Sequence, residues 1–319
     1  MIRSWIRYWD QKEHPRTMGL LRLALGLVIL VDFLSLGALD LVIPLMGASE
    51  AGGWGAEGTL RQGFWLYNLL PETVASAWGI YATLLTASLC FMLGCAPRVA
   101  ALVLVVLWAQ VAMLVPPSDR GIDLLLRNVL WIFVFFPSGR WGSVEAWWTT
   151  GSWRGTGAPI PAWPRLFMIA QLVIVYFTAG LQKVGFHWLP MGDFAALYVI
   201  LQDWAVARAD FGFLSLPGLY AVTQVSTMVS VLWELTFPVV LWVHLGKWRG
   251  LGAETWQGWA VRHRIDRWWI LIGVVFHLGI FLTLQLGIFP WAVLALYLCL
   301  IDPDEWPRAI IGDPEVRSG

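Results

Sequence analysis

Eight apolar stretches recur along the chain, near residues 18–38, 74–94, 98–116, 122–137, 163–185, 218–245, 269–285 and 287–301. Gly, Pro and charged residues separate them. A helix needs roughly 20 apolar residues to cross about 30 Å of hydrocarbon, so most of these stretches suffice, while the fourth and the eighth are short for a full crossing. Hydrocarbon offers no water to exposed backbone groups, and runs of this length are expected to bond internally as helices. The pattern predicts an all-α, polytopic membrane helix bundle with about eight transmembrane helices, seven or six being the alternatives. Ahead of the first stretch, Ile2, Trp5, Ile6 and Trp9 recur at helical spacing beside Arg3, Arg7 and Lys12. No small-residue cleavage site follows, so residues 1–17 are read as an amphipathic segment lying on the membrane, with a frayed polar tail as the alternative. Residues 18–308 form the transmembrane domain and 309–319 a tail; no repeat or low-complexity tract interrupts the series.

The Lys and Arg positions set the orientation. Loops placed inside hold Arg3, Arg7, Lys12, Arg16, Arg98, Arg140, Arg154, Arg165, Lys247, Arg249, Arg262, Arg264, Arg267, Arg308 and Arg317, whereas those placed outside hold only Arg61, Arg120 and Arg208. Both termini are therefore expected inside. The outer side carries acids instead, among them Asp40, Glu50, Glu57, Glu72, Asp193, Asp203 and Asp210. Two outer stretches exceed a simple turn: 39–73, and 186–217 with an amphipathic piece from Phe194 to Trp204. The inner tract 246–268 is basic and tryptophan-rich, as suits a surface that meets anionic lipid.

Composition narrows the class. Of 319 residues 58% are hydrophobic and 13% charged, with a mean hydropathy of +0.67, against about a quarter charged in soluble domains. With 21 basic and 21 acidic residues there is no net field to draw nucleic acid. Cys90, Cys95 and Cys299 lack CxxC spacing, and the five histidines are scattered. Neither a disulfide framework nor a metal site is expected, and the cysteines read as small apolar residues within helices. The 23 tryptophans suit the headgroup boundary.

Charges inside a bilayer cost at least ~3 kcal/mol each on insertion scales, so each needs a partner or a purpose. Arg22 and Asp32 lie on the first long helix; Arg22 is placed to snorkel inward and Asp32 to face the bundle. Asp123 and Arg127, four residues apart, share a helix face and are expected to pair with each other. Glu234 precedes Thr236 and Pro238, where a broken helix would free backbone groups, and either structural or site use fits it. Lys183 lies near the outer boundary among Phe177, Val184 and Phe186. An amine there is either a neutral base or nucleophile, or a lysine that snorkels to the headgroups. His277, on an otherwise apolar helix, is either a hydrogen-bonded core residue or a ligand or base.

The run Ile174-Val175-Tyr176-Phe177-Thr178-Ala179-Gly180-Leu181-Gln182-Lys183, followed by Trp188 and Gly192, resembles a signature of the vitamin K-dependent gamma-carboxylase-like membrane family, the horizontally transferred transmembrane (HTTM) domain. Three further features agree in family order. They are Leu21-Arg22-Leu23-Ala24-Leu25-Gly26 with Asp32, Phe276-His277 with Gly287, and the closing Pro303-Asp304-Glu305-Trp306-Pro307-Arg308. The resemblance covers roughly residues 15–308. It implies that Lys183 matches the base that deprotonates a membrane hydroquinone of the vitamin K type. On this resemblance Lys183 and His277 are the candidate catalytic residues, with Tyr176, Glu234, Asp123 and Arg127 as candidates to line a quinol pocket.

The sequence departs from the carboxylase in two ways. It has Gly121, Ile122 and Asp123 where the carboxylase carries a functional histidine, and it ends at Gly319 without the large outer domain that holds the protein substrate. Glutamate carboxylation is therefore not the expected activity. Short family members resemble this chain more closely in size; some help to mature secreted peptide toxins of the sporulation-delaying type, with a separate partner protein. The leading expectation is an integral protein of a bacterial plasma membrane that modifies or matures a secreted peptide or lipid-soluble substrate at the outer face. The rival is a non-catalytic scaffold for a secreted substrate or partner enzyme. A transporter ranks third, because no internal repeat is present.

Overall fold

The computed structural model describes residues 2–55 and 65–306, with side chains from Ile6 onward. Glu57, Arg61, Pro307, Arg308, Arg317 and the 309–319 tail lie outside the described residues. In chain order the elements are α1 (Ile2–Trp9), β1 (Lys12–Glu13), α2 (Arg16–Ala38), α3 (Val42–Met46), α4 (Leu66–Leu69), α5 (Val74–Leu93), α6 (Pro97–Leu114), α7 (Gly121–Phe135), α8 (Val144–Thr150) and β2 (Ile160–Pro161). They continue as α9 (Trp163–Gln182), α10 (Ala196–Leu201), α11 (Pro217–Thr236), α12 (Pro238–Arg249), α13 (Trp256–Arg262), α14 (Ile265–Thr283) and α15 (Phe289–Leu296). All eight apolar stretches are helical. Five helices, α2, α5, α6, α9 and α14, are long and apolar enough to cross a membrane, and α11 with α12 makes a sixth span bent by 41°. The two short stretches are the 15-residue α7 and α15, extended by a 3₁₀ turn at Tyr297–Leu300.

The chain packs as two compact units. In residues 10–164, α2 lies against α5 across the long 39–73 stretch, and α5 against α6 and α6 against α7 as short connections between consecutive helices require. Leu21, Leu25, Ile29 and Phe33 on one face of α2 are buried, while Leu23, Leu27 and Leu34 on the other are 43–49% exposed. A helix apolar all round, packed on one side only, leaves that second face to lipid. The short strands β1 and β2 pair antiparallel, Lys12 opposite Pro161.

Arg22 does not snorkel to the headgroups. It is fully buried, and its guanidinium donates to the carbonyls of Phe91 (2.8 Å), Met92 (2.6 Å) and Gly142 (2.5 Å). Phe91 and Met92 belong to the last turn of α5, whose carbonyls lack the i+4 donor of the helix interior and carry the negative end of the helix dipole. A cation delivered there satisfies both needs, which outweighs the route to solvent. Asp32 is buried as expected.

The other unit comprises residues 1–9 and 165–300. Here α10 packs on α11, α12 on α13 and α14, and α14 on α15. The aromatic face of α1 is used for packing: Tyr8 meets Trp248 at 5.1 Å and Trp9 meets Phe167 at 5.7 Å between ring centres. The 186–217 stretch folds into 3₁₀ turns and α10, the latter shorter than the expected amphipathic piece. It is tied to the end of α14 by Arg208 N–H to the Thr283 carbonyl and Gln285 N–H to the Val206 carbonyl, both 2.8 Å. In the basic tract Lys247 pairs with Asp266 at 2.8 Å, and Trp256 on α13 is 84% exposed.

Candidate functional site

The break between α11 and α12 starts the site. Pro238 has no N–H to give to the Glu234 carbonyl, and its ring crowds that carbonyl, so the helix bends there. Phe237 N–H takes the Glu234 carbonyl instead at 3.2 Å, and the Thr236 hydroxyl bonds back to the Leu232 carbonyl at 2.6 Å. Glu234 itself is buried. The C-terminal end of α9 reaches it because of Gly180: a Cβ there would stand 3.0 Å from the Leu235 amide nitrogen, tighter than side chains normally allow. Past Gln182 the helix ends, and Lys183 turns its ammonium onto the Glu234 carboxylate in a close ion pair. The Lys183 side chain is 16% exposed and spends its ammonium on the Glu234 carboxylate. The Trp188 ring, on the 3₁₀ turn that follows, covers the ammonium at 4.8 Å, a cation–π contact.

Behind this pair runs a chain of buried hydroxyls. Tyr176, two turns before Lys183 on α9, places its Oη 2.6 Å from His277 Nε2 and 2.5 Å from Tyr297 Oη. All three side chains are buried. Gly273 on α14 makes room for Tyr297, since a Cβ at that position would collide with the Tyr297 hydroxyl and the Trp233 ring. Aromatic rings close the surroundings: Phe237 lies 4.3 Å and Trp233 4.7 Å from Tyr176, and Phe276 and Phe289 lie 5.2 and 5.5 Å from His277. His277 Nδ1 has no hydrogen-bond partner among the described residues. With Nε2 bonded to Tyr176, either tautomer leaves Nδ1 a buried donor or acceptor unspent.

Asp123 and Arg127 belong to the other unit, and they do not pair with each other. Asp123 accepts from Arg120 through its backbone N–H (3.1 Å) and guanidinium (2.8–3.2 Å). Arg127 grips Asp119 with both terminal nitrogens at 2.7 Å. The Asp123 carboxylate leans toward the N-terminus onto Arg120 and is held there by both backbone and guanidinium, while Arg127 reaches past it to Asp119, two turns earlier. Arg120 also holds Asp32 at 2.6 Å. Burial works against the Arg120 charge, but the bonds to Asp123 and Asp32 outweigh it and hold the pKa above the ordinary value. The chemistry of this cluster is structural: it caps the start of α7 and anchors α2.

Sequence reasoning missed Tyr297, Trp233 and Gly273 in the neighbourhood of His277. A tyrosine in a short apolar stretch carries no signal of its own; only its packing against α14 reveals it. Among the described residues no group of three or more His, Cys, Asp and Glu could hold a metal ion.

Comparison with known proteins gives one result. The family model described as HTTM domain matches residues 10–306. No curated protein and no solved structure matches the chain.

Proposed function

The chain belongs to the HTTM domain family, and on that premise we propose that it is a membrane enzyme that modifies or matures a secreted peptide or a lipid-soluble substrate at the outer face, with Lys183 as its base. The observation that carries this reading is the Lys183–Glu234 contact at the α11–α12 break. Paired charges in apolar surroundings are expensive to keep, and replacing such a pair by apolar residues is often neutral or stabilising. A purpose beyond stability is therefore the better account. Glu234 gives the amine a place to send a proton, and an amine that has lost one is a base or nucleophile.

The residues around His277 also fit a membrane quinol. A flat apolar ring with an oxygen at each end needs aromatic walls and polar contacts. Phe237, Trp233, Phe276 and Phe289 supply the former, and the Lys183 amine and unspent His277 Nδ1 supply the latter. When bound, a quinol supplies a phenolic proton and two electrons. In this role Lys183, once its proton has passed to Glu234, would accept a proton from a bound quinol, and Tyr176 would fix the His277 ring by holding Nε2 and leave Nδ1 for the ligand. Asp123 and Arg127 are spent on Arg120 and Asp119 and are not assigned to the pocket.

The test is mass spectrometry of secreted peptides from cells that make the wild-type protein or Lys183→Ala at equal abundance. Loss of a modified peptide in Lys183→Ala supports the proposal; an unchanged product overturns the catalytic part. A scaffold is the second reading, favoured by the apolar surface on the 184–216 stretch, where Val184, Met191 and Trp204 are 69–90% exposed. It requires that Lys183→Ala be tolerated while changes at Met191 and Trp204 abolish association with a partner.

A further inference from the structure

The turn after α5 brings two thiols together. Cys95 N–H donates to the Cys90 carbonyl at 2.8 Å and Gly94 N–H to the Phe91 carbonyl at 3.2 Å, with Gly94 left-handed at φ +70°. These are the two bonds of a Schellman motif, which folds the residue after the glycine back over the helix so that its side chain meets the one five places earlier. In this chain the two residues that the motif brings together are both cysteines, and both line one groove. Both are free; Cys95 is exposed and Cys90 half-buried. Arg22 braces the same turn through the Phe91 and Met92 carbonyls.

Both cysteines line a groove of about 450 Å³ between α5 and α6, walled by Ala82, Ala87, Val99 and Val103. The hydroxyls of Thr83 and Thr86 in the same wall are spent on the Gly79 and Ala82 carbonyls of their own helix, so the groove presents apolar atoms. It runs from the two thiols along exposed faces of α5 and α6, two helices long and apolar enough to cross a membrane.

We infer that Cys90 and Cys95 form a redox-active dithiol that closes to an intrachain disulfide on reaction with organic hydroperoxides dissolved in the bilayer. One sulfur attacks the peroxide: the O–O bond breaks, an S–O bond forms, and the alcohol leaves with a proton. The second sulfur then displaces water from the sulfenic acid and the S–S bond forms. Two thiols and one hydroperoxide give one disulfide, one alcohol and one water; the sulfurs lose two electrons and the peroxide gains them. A disulfide requires side chains that converge at short range, which the helix-ending motif provides. The inference does not rest on the role proposed for Lys183.

The experiment uses the full-length protein, reduced with dithiothreitol, desalted, treated with cumene hydroperoxide or hydrogen peroxide, acid-quenched, and alkylated with N-ethylmaleimide in denaturant. The expected result is that Cys90 and Cys95 lose both labels together, the peptide mass falls by two hydrogens, and dithiothreitol restores both labels. Buried Cys299 keeps its label throughout. Cumene hydroperoxide reacts several-fold faster than hydrogen peroxide, and in Cys90→Ser the remaining Cys95 stops at a sulfenic acid trapped by dimedone. Both cysteines still labelled after oxidation, sulfinic acid at Cys95 with Cys90 untouched, or only cross-links between chains would overturn the dithiol. Equal rates for the two peroxides would overturn the groove as the route.

Discussion

Two sets of ionisable side chains lie in apolar surroundings, one in each unit, and they are built on opposite plans. In residues 10–164 each of three arginines holds two or more acceptor oxygens: Arg22 three carbonyls, Arg120 two carboxylates, and Arg127 both oxygens of Asp119. In residues 165–300, Lys183 has one carboxylate and a tryptophan face, and His277 Nδ1 has no partner among the described residues. The framework arginines spend most of their hydrogen-bonding capacity, Arg22 Nε alone of their nitrogens being buried without a partner among the described residues. Each unmet buried group costs stability, whereas a site that binds something must keep capacity in reserve. The contrast separates the charges that hold the fold from those that are candidates for chemistry.

The contrast breaks first at the arginines. Arg22→Ala is expected to cost about 3–5 kcal/mol, as when one partner of a buried charged set is removed, and Arg120→Ala less, because its side chain is 40% exposed. Thermal unfolding of purified protein, or loss of folded yield, reads this; a variant as stable as wild type would remove the framework role. Next comes the pair at the helix break. The double variant Lys183→Met with Glu234→Gln is expected to lose under about 1.5 kcal/mol of stability while product formation falls roughly 10²–10⁴-fold, the usual share of a positioned base. Strong destabilisation with intact product would invert the assignment.

Smaller effects sharpen the comparison. Tyr297→Phe removes one hydroxyl from the chain to His277 and is expected to cost about 0.5–1.5 kcal/mol, read by the same unfolding assay. The smallest concerns His14, outside the spans, where burial first and the Arg16 charge second lower the pKa from the ordinary 6.5. The unfolded chain then takes up the proton before the folded one does. Stability is unaffected well above pH 6.5, falls as pH drops through that value, and stops falling below the lowered folded pKa. His14→Gln should flatten this part of the pH–stability curve, and an unchanged curve would discount the group.

Much of the fold was legible in the sequence, because apolar length and spacing are read directly by the bilayer. Each of the eight stretches is a helix, and the two that are short in sequence are short in space. The bend at Pro238 was foreseeable from a missing N–H. Side-chain partners were less legible. Asp123 and Arg127 have the right spacing for a pair, but Arg120 and Asp119 in the preceding turn compete for them and take both. Arg22 was misjudged because the carbonyls it serves are about 70 residues away in sequence. Lys183 and Glu234 could each be singled out from the sequence, but their contact depends on Gly180 lying against Leu235. Tyr297 carried no mark at all.

The most direct test of the central claim, that the Lys183 and His277 surroundings hold a ligand, is extraction of protein purified in native lipid followed by mass spectrometry for bound quinone. Wild type, His277→Ala and Arg127→Lys are compared at equal amounts. The account predicts quinone with wild type and Arg127→Lys, and at least several-fold less with His277→Ala. No quinone in any preparation, or equal amounts in all three, would contradict it and return the weight to the scaffold reading.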